Sequence, residues 1–595
     1  MSLNAKQKLA VACDDHCLVV ACPGSGKSKV VVTKVESILE NEPDAKVVVV
    51  TFSREGANEL RERLKPILSP EQMKHVFIST FHALALAHLK REKVTVRIAQ
   101  ETYEYLIRAL EHTGCDITAE EAQKLLQNCK TTPFYKPGND YAGMIYKEYQ
   151  SICKKNNVID FYDIMNMSLE RITNGSMPIL NATHMLVDEF QDCDEIQYQY
   201  MMAHVKSGTV KVTAVGDDDQ AIYAFRNSLG YEGMNRFEKD ANAVRIVLDT
   251  NYRCKKEILT AADKMIQYNG SRMDKRLHAD RGTGGKVSVY RFPSKEAEAE
   301  AVCDEIIKTG FNADKDFFFN NRETFPDTIS GKEWVVLARN NLLLEAIDAQ
   351  LREYDIPTVK NFKPIWERTP VSLMLSLMKS FDSKNKTNID HLLYWLGVER
   401  SDLNLLNKLL NNDYSKLFDR KFTDNINTQE LTKLGSVKIK KFITDLNGWS
   451  KGNSRSDSSR TDAVIESIGA WMHSHSKKKI EKNRLHTATS VLLKVKGSML
   501  ERVAFVTKNN DSKDGDGVQL MTMHGSKGLE FSNVWIIGAE EGVIPSNANL
   551  VLTEKIIEEE RRLMYVAMTR AKNNLHISST ADNPASVFLK ESKLA

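Results

Sequence analysis

The segment ACPGSGKS, Ala21 to Ser28, constrains this 595-residue chain more than any other. It follows the apolar run Leu18 to Val20 and leads into KVVVTKVESIL, whose apolar spacing suits a helix. Strand, small-residue loop and helix in that order form a P-loop context. Ala21, Cys22, Pro23, Gly24, Ser25 and Gly26 would let backbone N–H groups wrap phosphate oxygens. Lys27 would reach the β and γ phosphates, and Ser28 would offer its hydroxyl to magnesium. The strict pattern begins with glycine and this chain has Ala21, but the later glycines and the Lys-Ser pair are in place. An α/β fold follows, with the ligand beyond the carboxyl end of a parallel sheet.

Eight short, nearly continuous apolar runs carry polar residues just after them: CLVVA, KVVVVT, HVFIST, HMLVDE, VTAVGDDD, EWVVLA, VQLMTM and NVWIIG. Such runs read as strands buried on both faces. They fall in two groups, roughly Cys17 to Asp249 and Trp334 to Ile577, so two sheets are expected. Length agrees, since a single core stops growing near roughly 250 to 300 residues. Each group is interrupted by a mainly helical region, about Glu92 to Ile159 and about Val371 to Arg502, and both read as insertions.

HMLVDEFQD ends a buried strand in adjacent carboxylates. Asp188 would hold the magnesium, while Glu189 would orient and deprotonate the water attacking the γ-phosphate. Candidates for positive charge on the transition state are Arg253 in NYRCKKEI and Arg570 in MTRAK; if both reach the γ-phosphate from the second sheet's domain, the nucleotide sits in a cleft between the domains.

Formal net charge is only +3, so a polyanion would be held by local patches. No apolar run approaches the roughly 20 residues of a membrane span, and MSLNAKQKLA lacks a signal-peptide core. The nine cysteines show no CxxC spacing and read as reduced thiols. A soluble cytoplasmic protein without a membrane partner is expected. Cys13, His16 and Cys17 make at most half a metal site. KNNDSKDGDG at Lys508 to Gly517 fails as a calcium loop because Thr522 stands where a bidentate carboxylate is needed. KGNSRSDSSRTD at Lys451 to Asp462 reads as a polar loop, and SKKKIEKNR at Ser476 to Arg484 as a solvated helix face.

The motifs together resemble the superfamily 1 DNA helicases of the UvrD, Rep and PcrA type. The resemblance runs in family order: LNAKQKLAV, ACPGSGKS, VTFSREGANEL, STFHALA, IDFYDIM, VDEFQD, VGDDDQAIYAFR, NYR, LARNN, MTMHGSKGLEF and EEERRLMYVAMTRAK. It implies two RecA-like domains, each with a helical insertion: 1A from 1–91 and 160–250, insertion 1B at 92–159, 2A from 251–370 and 503–595, and insertion 2B at 371–502. It implies that Gln7 reads adenine, Tyr252 stacks on it, Glu530 meets the ribose and Gln220 senses the γ-phosphate beside Arg253 and Arg570. Lys29 stands where the family commonly has an arginine flanking the base.

The same resemblance gives VTAVGDDDQAIYAFR two faces. Asp217, Asp219 and Gln220 would face the nucleotide, and Tyr223, Phe225 and Arg226 would face single-stranded DNA. Phe52, Thr80, His82 and His524 are implied as further strand contacts. Phe225 stands where the family often has tryptophan. The implied activity is ATP-dependent, magnesium-requiring unwinding of tailed duplex DNA with 3′ to 5′ polarity. The alternative is a DNA-stimulated translocase that unwinds poorly without a separate nuclease partner, in repair or defence. That alternative is suggested by an expected absence of a C-terminal extension, a fused nuclease domain and an iron–sulfur cysteine cluster. A silent nucleotide-binding scaffold is the reading from a different class.

Overall fold

The structure, a computed structural model, describes residues 3–310, 333–383, 386–419, 421, 423, 432–452, 458–508, 517–546 and 551–594. The centres of the two polar loops, 453–457 and 509–516, lie outside the described residues. The chain forms two compact units. The first comprises Met1–Lys286, Pro545–Asn573 and Val587–Ala595, and the second Val287–Ile544 and Asn574–Ser586.

The first unit is built on strands β1 (Cys17–Ala21), β2 (Val47–Thr51), β3 (Val76–Thr80), β4 (His184–Val187), β5 (Lys211–Gly216) and β6 (Val244–Leu248), in the order β3-β2-β4-β5-β1-β6. Every neighbouring pair is parallel. β1, β2 and β4 are buried along their whole length, which is why their centres are runs of Val, Leu and Met. The order sets the carboxyl ends of β4, β5 and β1 side by side. The residues after these strands, 188, 217 and 22, therefore converge. Short β7 (Thr250–Asn251) and β8 (His278–Ala279) pair in parallel beyond this sheet.

The first insertion has a small core of its own, with Leu106, Ala122, Leu126, Ile145 and Tyr149 buried together. Its return to the sheet is fixed electrostatically. Lys130 is buried, with Nζ 2.9 Å from Asp160 and 2.6 Å from Asp163. Asp160 and Asp163 also form the capping box of the helix Phe161–Thr173.

The second unit carries β9 (Lys286–Phe292), β10 (Trp334–Ala338), β11 (Thr358–Lys360), β12 (Val518–Thr522), β13 (Phe531–Ile536) and β14 (Ala571–Thr580), ordered β11-β12-β10-β13-β14-β9. β10 runs parallel to β12 and β13, and β11 to β12. Its helical insertion packs around a separate apolar core that includes Met374, Leu406, Phe442, Ile468 and Leu492. The last helix of that core, Met499–Thr507, continues past residue 502.

Asn251 and Lys275 tie the chain beyond β6 back to the start of the P-loop, donating to the Pro23 and Ala21 carbonyls. One expectation is revised. Ser476 to Arg484 is not wholly a solvated face, since Arg484 forms a two-pronged pair with Glu345 at 2.6 and 2.8 Å. The nine cysteines are all free thiols. His16 Nδ1 accepts from the Val212 amide, and Cys13, His16 and Cys17 form no metal-binding group among the described residues. No helix among the described residues is long and apolar enough to cross a membrane.

Candidate nucleotide and nucleic-acid site

The P-loop leaves β1 at Ala21 and enters helix α2 (Lys27–Asn41) through Gly26, whose φ of 80° is left-handed. Gly24, at φ 62°, has a second reason to be glycine: a Cβ there would come within 2.6 Å of Arg253 Cβ. Cys22 and Pro23 are buried, and Ser28 and Lys29 lie half-buried on the first turn of α2. Ser25 Oγ is buried without a hydrogen-bond partner among the described residues.

Gln7, on helix α1 (Ala5–Ala12), is buried against this loop. Its Nε2 donates to the Ser25 carbonyl at 2.9 Å, and its Oε1 accepts from the Asn4 amide. Its amide is therefore engaged with the loop backbone and the α1 cap. Tyr252 donates its amide to the Gly24 carbonyl, and its hydroxyl accepts from Asn4 Nδ2 at 2.8 Å.

Lys27 Nζ lies 3.0 Å from Glu189 Oε2. Burial pulls its ammonium down, but Glu189, Asp217 and Asp188 outweigh this and hold it above the ordinary lysine value. Burial and the neighbouring Glu189 carboxylate push Asp188 up to about 7. Glu189 has a left-handed backbone, φ 53°, a costly state for a residue with a side chain and one that clusters at functional sites.

Gln191, missed by the sequence reading, bridges the strand ends. Its Nε2 donates to Glu189 at 2.6 Å and its Oε1 accepts from the Asp217 amide at 2.9 Å. Asn251 was also missed as a structural partner. It donates to the Pro23 carbonyl at 2.6 Å and accepts from the Arg253 and Cys254 amides.

Arg570 is buried, donating Nη2 to Gln220 Oε1 at 2.9 Å and Nε to the Val566 carbonyl. Burial, then the Arg253 guanidinium nearby, pulls it down to about 9. Arg253 Nη1 donates to the Thr569 carbonyl at 3.3 Å. Both arginines lie in the first compact unit with the P-loop.

Asp217 and Asp219 do not face an open nucleotide cleft. They are completely buried and tied to Lys275, with Arg272 added at Asp219. The sequence could not reveal this, because the cations lie more than fifty residues downstream.

Beyond Gln220 the chain reaches the surface as an aromatic platform. Phe52 and Tyr223 stack at 5.2 Å, and Tyr223 meets Phe225 edge-on at 5.9 Å. Arg226 lies 5.5 to 6.0 Å over all three rings. Phe225 is 62% exposed, so the platform presents an apolar ring face to solvent. His82 stacks on Phe161 at 4.0 Å, and burial pulls its imidazole down to about 4. The Thr80 hydroxyl accepts from Ala83 N at the start of the helix Phe81–Arg91. His524 and Glu530 belong to the second unit, His524 on a short turn after β12 and Glu530 exposed just before β13.

An orphaned hydroxyl in the loop, a lysine held by a displaceable carboxylate, and hard oxygen donors from Ser28 and Asp188 fit a magnesium-bound triphosphate. Parallel sheet, P-loop, paired carboxylates and buried arginines define a P-loop nucleoside-triphosphate hydrolase.

The UvrD-like helicase C-terminal domain family matches residues 246–582, and an AAA domain matches residues 7–226. The chain belongs to the UvrD-like helicase family. It is 29% identical to the ATP-dependent DNA helicase Rep of Buchnera aphidicola subsp. Schizaphis graminum, over 97% of this chain and 93% of the relative. It is 29% identical to the putative ATP-dependent DNA helicase YjcD of Bacillus subtilis, over 98% and 79%. It is 26% identical to DNA helicase II of Escherichia coli, over 97% and 84%.

Proposed function

We infer that this chain is an ATP-dependent DNA helicase that couples hydrolysis to movement along a single strand. The observation that carries the coupling is one continuous stretch. Gln220 is bonded to Arg570 in the nucleotide site, and three to six residues later Tyr223, Phe225 and Arg226 form an exposed platform. Bases stack on such rings for roughly 1 to 3 kcal/mol each, and the guanidinium suits a phosphate.

In the proposed cycle, the P-loop amides and Lys27 bind the ATP phosphates, which draws Lys27 away from Glu189. Glu189, oriented by Gln191, then takes the proton of the attacking water. Gln220, Arg253 and Arg570 neutralise charge on the transferring phosphoryl group. Ser28 and Asp188 would hold a magnesium ion, which would supply charge neutralisation to the bound phosphates. Tyr252 and Glu530 are proposed at the base and ribose, and Lys29 beside the base. Gln7 is proposed to reach the base side through its contact with Ser25. Phe52, Thr80, His82 and His524 are proposed as further strand contacts, and the two sheets as RecA-like domains. Polarity is proposed as 3′ to 5′.

The test is ATP hydrolysis by the purified chain with and without single-stranded DNA, beside unwinding of 3′-tailed and 5′-tailed duplexes. Stimulated hydrolysis with opening of the 3′-tailed duplex is expected. Stimulation with neither duplex opened would remove unwinding by the isolated chain. Absence of hydrolysis would remove the motor itself.

A further inference from the structure

Asp217, Asp218 and Asp219 bring carboxylate oxygens close enough together to ligate a cation, yet the protein supplies that cation itself. Lys275 Nζ, fully buried, sits 2.5 Å from Asp217, 2.8 Å from Asp218 and 3.0 Å from Asp219. It also donates at 3.2 Å to the carbonyl of Ala21, where the P-loop begins.

An ammonium has three donors. Here they serve Ala21, Asp217 and Asp218, while Asp219 takes a two-pronged bond from Arg272 at 3.1 and 2.8 Å. The second oxygen of Asp218 accepts from the Met273 amide at 2.7 Å. The second oxygen of Asp217 accepts from Gln220 Nε2, which turns Gln220 Oε1 toward Arg570.

We propose that Lys275 is a positioning residue for ATP hydrolysis: by fixing Asp217 against the root of the P-loop, it sets the amide orientation of Gln220 and hence the place of Arg570. The role rests on the reading of this site as an ATP hydrolase. A buried carboxylate cluster needs a counter-charge merely to fold, so charge compensation alone is the competing explanation. It predicts a different experiment, because compensation can be restored without restoring the Lys275 to Asp217 bond.

The test is the double variant Lys275→Met with Asp218→Asn, which removes one charge of each sign. Hydrolysis at saturating ATP and single-stranded DNA is measured beside ATP affinity and thermal midpoint. The expected result is a kcat at least about tenfold lower, as for a misplaced transition-state group, with ATP affinity changed by less than about threefold and the midpoint preserved. A kcat equal to that of the unaltered protein overturns the proposal. Asp217→Asn, which leaves Lys275 paired with Asp218 and Asp219, is the second variant, so the test survives a double variant that does not fold. The same split is expected, and an unchanged kcat again overturns the role. The unaltered protein is assayed alongside; if it fails to hydrolyse ATP, the hydrolase reading falls first.

Discussion

Lys27 Nζ and Glu189 Oε2 stand 3.0 Å apart, so the loop's cation and the proposed base are each other's partner. Glu189 keeps 27% of its side chain in solvent and tolerates losing that partner. Lys27→Ala is therefore expected to fold, retain binding to single-stranded DNA and lose ATP turnover by at least about a hundredfold, the scale for removing one positioned charge. Steady-state hydrolysis with a parallel oligonucleotide titration checks this, and undiminished turnover would sink the P-loop assignment.

Glu189→Gln keeps the shape and a partner for Lys27 but removes the proton acceptor. ATP should still bind, and kcat should fall at least about a hundredfold, as for loss of a positioned base. Nucleotide binding measured by fluorescence, set against single-turnover hydrolysis, separates the two effects. A variant that hydrolyses normally would mean another group takes the proton.

Phe225 is the most solvent-exposed ring of the platform and its neighbours hold each other without it, since Phe52 and Tyr223 stack directly. Phe225→Ala should leave DNA-free hydrolysis intact while weakening oligonucleotide affinity roughly 5-fold to 100-fold, the worth of one stacked base. Unwinding should fall with it. Full-rate unwinding by the variant would show that the strand runs elsewhere.

The parts legible in the sequence were those whose partners lie close along the chain. ACPGSGKS and VDEFQD reveal themselves by local order, because the strand, the loop and the acid pair are contiguous. All eight apolar runs became strands, and β1, β2, β4 and β10 are buried along their whole length, which leaves nearly unbroken apolar sequence. β6, at the sheet edge with Val244 and Arg245 exposed, lacked that mark and went unread. The carboxylates of VGDDDQ were misjudged for a different reason. Their burial depends on Lys275 and Arg272, and no spacing rule connects a carboxylate to a cation so distant in sequence.

Lys130 illustrates such a long-range pair in the first insertion. Its ammonium is wholly buried against Asp160 and Asp163, with Gln150 also donating to Asp163. Lys130→Met would leave two carboxylates buried without their cation, a loss of about 3 to 5 kcal/mol. Limited proteolysis and the urea midpoint should both show the first insertion loosened. A midpoint within experimental error of the parent would mean that solvent reaches these carboxylates.

His204 makes the stability of the first unit depend on pH. Burial pulls its imidazole down to about 4, although Nδ1 lies 2.8 Å from the Tyr200 carbonyl. An unfolded chain protonates this residue near pH 6.5, so between about 6.5 and 4 the unfolded state binds more protons than the native one. The contribution is therefore complete above pH 6.5 and is lost as pH falls toward and through 4, on the order of 3 kcal/mol over that window. Carboxylates titrate in the same range, so the measurement is a difference. Urea midpoints of the parent and His204→Phe are compared at pH 7 and pH 4.5, where all other groups are shared. The parent should lose more stability on acidification than the variant. Equal losses would mean that His204 accepts its proton inside the fold, and that the ring has access to water at the Tyr200 turn.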